Sequence, residues 1–174
     1  MLNIVLYNPE MPANTGNISR TCAVTGARLH LIRPLGFDTS DKQLRRAGLD
    51  YWDKLEIFYY DDFGEFLEKN KGARLFLLTT KGKKRHSDVQ YQDGDYFVFG
   101  SESRGLPENL IKKMYNNAIR IPMRKTLRSL NLSNAVSIVV YEALRQLNFV
   151  DLESEGELTG REEQDADWLQ YIHL

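Results

Sequence analysis

Residues 128–147, RSLNLSNAVSIVVYEALRQL, constrain the fold more than any other stretch, because a polar loop runs directly into a strongly apolar helix. Val136, Val139, Val140, Ala143, Leu144 and Leu147 recur at helical spacing and define one stripe for burial. Ile138 and Tyr141 fall off that stripe, so the first half of the helix offers apolar surface on more than one side. Such a helix needs cover from its own core or from another subunit. A domain this small leaves it underburied alone, so a homodimer is expected. Ser133 or Asn131 caps the helix start, leaving N–H groups that suit an anionic or polar ligand. A capped core helix explains the stripe but not Arg128, Ser129, Asn131, Ser133 and Asn134 gathered at its mouth. That mouth is read as a site.

The chain leading to this helix alternates short apolar runs with helical segments. Leu2–Tyr7 ends at Asn8-Pro9 as a buried first strand would, and Pro12 and Asn14 introduce a helix over Thr15–Thr25 that Gly26 closes. Leu29–Ile32 is the second strand, Asp41–Gly48 a short basic helix, and Leu55–Tyr60 the third strand. Asp62–Asn70 is helical, and Arg74–Leu78 is another buried strand. Thr79–Asp88 is a basic loop, Asp95–Phe99 a strand, and Pro107 a first-turn residue for a helix over Glu108–Tyr115. Ala118–Ile121 is the last strand, stopped by Pro122. Strands alternating with helices argue an α/β domain, a mostly parallel sheet with helices on both faces.

At 174 residues the chain is one domain by expectation, over residues 1–150, with a tail at 151–174. The tail holds eight acids and one arginine, so the −1 net charge of the whole leaves residues 1–150 at +6. A modestly basic body permits a nucleic-acid partner. Glu153–Asp165 is poor in apolar residues and reads as flexible, while Trp168, Leu169, Tyr171 and Ile172 could dock. The single cysteine, Cys22, excludes an internal disulfide and a multi-cysteine zinc site, and three separated histidines make no metal pattern. No metal is expected. No apolar run reaches membrane-spanning length, so no membrane partner is expected and cytoplasm is the default compartment.

Three strand-end segments carry the chemically useful residues. Asn14–Arg20 (NTGNISR) follows the first strand, where open α/β sheets place ligand loops. Gly100–Gly105 (GSESRG) follows another strand, though Glu102 and Arg104 could simply pair at the surface. Leu106-Pro107 stands where a P-loop requires Lys-Ser/Thr, and no G-x-G-x-x-G follows any strand. The third segment, 122–134, is the mouth described above. Lys81, Lys83, Lys84, Arg85 and His86 crowd one loop, which is ordinarily a solvated face, with Tyr59, Tyr60, Tyr91 and Tyr96 near in sequence.

Together NTGNISR (14–20), FGSESRGLP (99–107) and IPM…RSLNLSNAVSIVVYEALRQ (121–146) resemble the SPOUT superfamily of S-adenosylmethionine-dependent RNA methyltransferases. Within it the chain is similar to the small tRNA 2′-O-methyltransferases of the TrmL/YibK type, over about residues 1–149. The resemblance implies a C-terminal deep trefoil knot, an exception to the usual rule against knots. It also implies that helix 133–147 is a dimer-interface helix. The implied S-adenosylmethionine pocket is Leu78, Thr79, Gly100 to Gly105 with Glu102, Ile121, Met123, Ser129 and Leu130. Leu78, Ile121, Met123 and Leu130 would sandwich the adenine.

The implied reaction is methylation of a ribose 2′-hydroxyl, with the wobble cytidine or uridine of certain leucine tRNAs as substrate. The resemblance puts Arg20 at the hydroxyl. Arginine has five donors and no acceptor, so it is read as orienting the hydroxyl or adjacent phosphate and stabilising developing alkoxide. Asn14, Glu102, Ser129 and Asn131 would hold Arg20 and the ribose. Arg45, Arg46, Lys81, Lys83, Lys84 and Arg85 are the RNA-contact candidates, with Tyr141 near the interface. The alternatives are methylation of another tRNA or rRNA site, a non-catalytic RNA-binding or ribosome-assembly module, and a reductase that lacks its glycine fingerprint.

Overall fold

A computed structural model describes residues 1–38 and 55–160. Among the described residues there are seven strands, all but the charged β5 built on short, largely apolar runs: β1 (Asn3–Tyr7), β2 (Arg28–Ile32), β3 (Ile57–Tyr60), β4 (Leu75–Leu78), β5 (Lys84–Arg85), β6 (Tyr96–Phe99) and β7 (Ala118–Arg120). The helices are α1 (Pro12–Thr25), α2 (Phe63–Lys69), α3 (Glu108–Lys113) and α4 (Leu132–Gln146). The sheet order is β3-β2-β1-β6-β4-β7-β5, and every strand pair in it is parallel. Near-continuous apolar runs are what a sheet covered on both faces requires.

The two-residue period of a strand divides the core between those faces. Ile4, Leu6, Leu29, Leu31, Phe97 and Ile119 face Ile18 and Cys22 of α1 and the expected α4 stripe, Val136 to Leu144. Val5, Ile32, Leu77, Val98 and Ala118 pack on the other side with Phe66 of α2 and Ile111 of α3. On that second side of β2, His30 is buried, its Nδ1 2.9 Å from the Tyr60 hydroxyl and its Nε2 3.2 Å from Asn3 Oδ1. Burial pushes the imidazole pKa down to about 4, helped by Arg28.

Several boundaries differ from expectation. The first helix begins at Pro12, so residues 14–20 lie in its opening turns rather than in a loop; Pro at the start supplies a helical φ. Gly26 closes it in the left-handed conformation, φ 70°. Pro107 keeps ψ at 137° and stands just before α3, while its carbonyl accepts the Ile111 N–H at 3.1 Å. That helix stops at Lys113, and a 3-10 turn at Tyr115–Asn117 follows.

The basic loop is not wholly irregular. Lys84 and Arg85 pair with Ile119 and Arg120 at the sheet edge, followed by a 3-10 turn at His86–Asp88. A short, charged edge strand is a common protection against further pairing. Leu152 packs against the core, whereas residues 153–160 form neither helix nor strand. The expected helix at 41–48 and the apolar residues at 168–172 lie outside the described residues.

Candidate active site

The C-terminal ends of β4, β6 and β7 open into one cavity of about 570 Å³. Crevices at these strand ends are where open α/β sheets bind ligands. Leu78 and Thr79 enter it from β4, Gly100 to Gly105 from β6, and Ile121 and Met123 from β7. Ser129, Leu130 and Asn131 close it from the segment before α4.

The loop after β6 depends on its glycines. A Cβ on Gly100 would sit 2.1 Å from the Gly105 carbonyl carbon, and Gly105 has φ +68°. The Gly105 N–H donates to the Ser101 carbonyl at 2.9 Å, folding the loop back on itself. Glu102 is thereby presented to the start of α1. Its carboxylate accepts the N–H groups of Glu10 (2.8 Å) and Met11 (3.2 Å) and the Asn14 amide (3.0 Å). The Met11 side chain provides no cap for α1, so Glu102 supplies the anion that the positive helix terminus favours.

The bonding continues across the cavity. Asn14 Oδ1 accepts from the Asn131 amide at 3.0 Å, and Asn131 Oδ1 accepts the Ser133 N–H at 2.9 Å and hydroxyl at 2.7 Å. Each amide therefore donates through nitrogen and accepts through oxygen, which fixes both orientations. In the opposite sense, the Ser103 N–H (3.1 Å) and hydroxyl (2.6 Å) donate to Glu10, and the Ser103 bonds hold that carboxyl below its ordinary pKa. All three expected segments are thus joined by one run of side-chain hydrogen bonds.

The expected pocket residues converge geometrically. Leu78, Thr79, Gly100, Glu102, Gly105, Ile121, Met123, Ser129 and Leu130 all line the cavity, as do Asn14 and Asn131. Glu102 does not pair with Arg104; its oxygens are taken by α1. Nor does the mouth of α4 leave its first N–H groups for a ligand, because Asn131 Oδ1 accepts those of Ser133 and Asn134. Arg20 is not part of the lining. It is exposed on α1, on the side that carries Asn17 and Val24. Thr21 Oγ1 lies 3.2 Å from Ser137 Oγ, so this side continues onto α4, where Ile138 and Tyr141 are 39% and 48% exposed.

The RNA-contact candidates are dispersed. Lys81 lines the cavity and is ion-paired with Glu108, and Arg85 is paired with Asp88 at 2.7 Å. Lys83 Nζ lies 5.1 Å from the Tyr115 ring centre, and Lys84 is exposed. Arg45 and Arg46 lie outside the described residues. Sequence reasoning missed Glu10, which no motif marks, whereas Arg104, inside the expected 100–105 segment, and Arg128, in the polar cluster at the helix mouth, both line the cavity. Among the described residues no cluster of His, Cys, Asp and Glu is placed to hold a metal ion.

The chain is similar to known proteins over most of its length. The tRNA (cytidine(34)-2′-O)-methyltransferase of Escherichia coli strain K12 is 58% identical over 150 residues, covering 86% of this chain and 96% of that protein. A solved structure described as giving structural insights into the 2-OH methylation of C/U34 on tRNA superposes with a TM-score of 0.82. It is 48% identical and covers 85% of this chain and 97% of its own. The S-adenosylmethionine-bound rRNA methyltransferase of Sinorhizobium meliloti gives a TM-score of 0.75 at 25% identity, over 84% of this chain and 56% of that one. The profile of the SpoU rRNA methylase family matches residues 1–141, and the chain belongs to that family.

Proposed function

We propose that the chain is an S-adenosylmethionine-dependent tRNA 2′-O-methyltransferase acting on the ribose of nucleotide 34, cytidine or uridine, in leucine tRNAs. The observation that carries this reading is the cavity at the strand ends, walled by the same three segments that resemble the methyltransferases. A space of about 570 Å³ lies within the usual range of small-molecule sites. Its apolar residues Leu78, Ile121, Met123 and Leu130 suit an adenine, and the turned backbone at 100–105 offers polar groups at close approach. The residues present therefore fit the cofactor.

S-Adenosylmethionine, when bound, supplies an activated methyl group. The chain's own task is to hold the ribose hydroxyl in line with it and to manage one proton. Asn14, Glu102 and Asn131 hold the three segments in register, so they position more than they react. Ser129 stands at the cavity edge to meet the ribose. Arg20 orients the hydroxyl or the adjacent phosphate with its fixed fork of donors and stabilises negative charge on the departing proton's oxygen.

Arg20 acts from the α1–α4 side, and that side also supports the homodimer. Exposed Val24, Ile138 and Tyr141 make an apolar strip that a second copy would cover. Arg20 would then stand at the seam between copies. The trefoil knot belongs to the same reading: β6 lies between β1 and β4, β7 lies beyond β4, and the chain then returns past the 100–105 loop to α4. The catalytic unit is residues 1–150, the remainder is an accessory tail, and a tRNA substrate goes with a cytoplasmic enzyme. No helix among the described residues is long and apolar enough to cross a membrane.

Calorimetry with S-adenosylhomocysteine, paired with methyl transfer to total tRNA, tests the proposal. Saturable binding and ribose methylation are expected. Binding of NADH without any response to S-adenosylhomocysteine would replace it with the reductase alternative.

A further inference from the structure

Residues 120–131, RIPMRKTLRSLN, contain Arg120, Arg124, Lys125 and Arg128 and no acid. Arg124, Lys125 and Arg128 are all exposed, on a segment turned by the Leu127 N–H donating to the Arg124 carbonyl at 3.1 Å. Across the cavity, Arg104 is exposed as well, and it lines the space together with Arg128. None of these four side chains makes an ion pair or hydrogen bond among the described residues.

Several other surface cations are paired instead. Arg28, Arg33, Lys69, Arg74, Arg85 and Arg145 are each bound to a carboxylate between 2.5 and 2.9 Å. The basic loop that looks most like a nucleic-acid patch in the sequence is therefore partly neutralised, with Lys81 and Arg85 both engaged. Arg104 lies near enough to Glu10 to help lower that carboxyl's pKa, but Arg124, Lys125 and Arg128 meet no carboxylate among the described residues. Like charges gathered with so few counterions raise the energy of the folded protein, and a site that binds an anion uses such a cluster.

We propose that Arg104, Arg124, Lys125 and Arg128 form the phosphate-binding rim of the cavity, gripping the RNA backbone on either side of the methylated nucleotide. This rests on the proposed function. Two of the four cations line the cavity, but Arg124 and Lys125 do not, so the positive charge runs outward beyond any small ligand held inside. An extended polyanion matches that layout, whereas a single cofactor carboxylate would need only the inner pair. Arginine suits the task because its fork binds phosphate oxygens in pairs. The 81–85 loop then makes only an outer, weaker contribution.

The test uses the full chain, with tRNA affinity measured by fluorescence anisotropy over a salt series and S-adenosylhomocysteine affinity measured alongside. Arg124→Gln combined with Lys125→Gln is expected to weaken tRNA binding about tenfold or more near 150 mM salt. The log–log salt slope should fall by roughly 1.5, as two lost phosphate contacts require. S-Adenosylhomocysteine affinity should not change. Lys83→Gln with Lys84→Gln, on the outer loop, should weaken tRNA binding clearly less than the Arg124/Lys125 variant does. The rim is overturned if the Arg124/Lys125 variant binds tRNA normally while the unaltered protein methylates tRNA, or if the Lys83/Lys84 variant loses as much. It is also overturned if cofactor-product affinity falls in parallel with tRNA affinity. A wild-type chain that binds S-adenosylhomocysteine but neither binds nor methylates tRNA would instead remove the proposed function itself.

Discussion

Replacing Glu102 with alanine should loosen the whole cavity frame, and the structure sets the size of the effect. The carboxylate accepts from Glu10 N–H at 2.8 Å, Met11 N–H at 3.2 Å and the Asn14 amide at 3.0 Å. A hydrogen bond to a charged group contributes about 1.5–3 kcal/mol, and a favourable charge at a helix terminus adds about 0.3–1 kcal/mol. The site is half-buried, so water satisfies some of the orphaned donors, and the net cost should be about 2–3 kcal/mol. For a chain of this length that lowers Tm by roughly 4–12 °C. Differential scanning calorimetry measures the change, repeated with S-adenosylhomocysteine to read the loss of ligand stabilisation. Glu102→Gln keeps one acceptor and should fall between the two. A Glu102→Ala variant with unchanged Tm and unchanged cofactor-product affinity would refute the claim that this carboxylate joins the loops.

Arg20→Ala should lower single-turnover methylation about 100-fold or more with little change in cofactor-product affinity, since Arg20 lies outside the cavity lining. Arg20→Lys should not rescue it, because a point charge cannot replace a planar fork; near-normal methylation by the alanine variant would exclude Arg20. Ile138→Asp should yield a folded monomer by sedimentation, whereas Val140→Asp, at a fully buried position, should unfold the chain. A dimer surviving Ile138→Asp would move the interface elsewhere. His30 gives a signed pH dependence. Its folded pKa of about 4 lies below the ordinary value of 6.5, so the unfolded chain binds the extra proton. The stabilisation is complete above pH 6.5 and is lost as pH falls towards 4, by about 2–3 kcal/mol at pH 4.5. Urea midpoints of wild type and His30→Gln at pH 7 and 4.5 should show that difference in slope; parallel slopes would contradict it.

The elements whose residues speak twice were readable from sequence. The α4 stripe, Val136 to Leu144, is apolar at one period and buried in the structure, and β1, β4 and β6 are short apolar runs that the sheet buries. Pro12 and Pro107 were ambiguous for a physical reason: proline fixes φ but not ψ, and ψ decides whether the residue starts the helix or precedes it. The gathering of the pocket residues could be anticipated only through resemblance, because no periodicity brings residues 78, 100, 121 and 130 together. What escaped notice was pairing. Nothing local shows that Glu102 serves a helix some 90 residues away, that Lys81 meets Glu108, or that Arg124 and Lys125 meet no acid among the described residues. Strand order and loop return decide those contacts, and both are properties of the folded sheet.

Methyl transfer to one ribose hydroxyl can be tested by a single substrate comparison. Purified chain and S-adenosylmethionine are mixed with a leucine tRNA, and with the same tRNA carrying a 2′-deoxy nucleotide at position 34. Single-turnover methylation is followed and the modified nucleotide is mapped by mass spectrometry. A 2′-O-methyl group is expected at nucleotide 34 of the first RNA, with no transfer to the second. Equal methylation of both, or a methyl group found on a base, would contradict it.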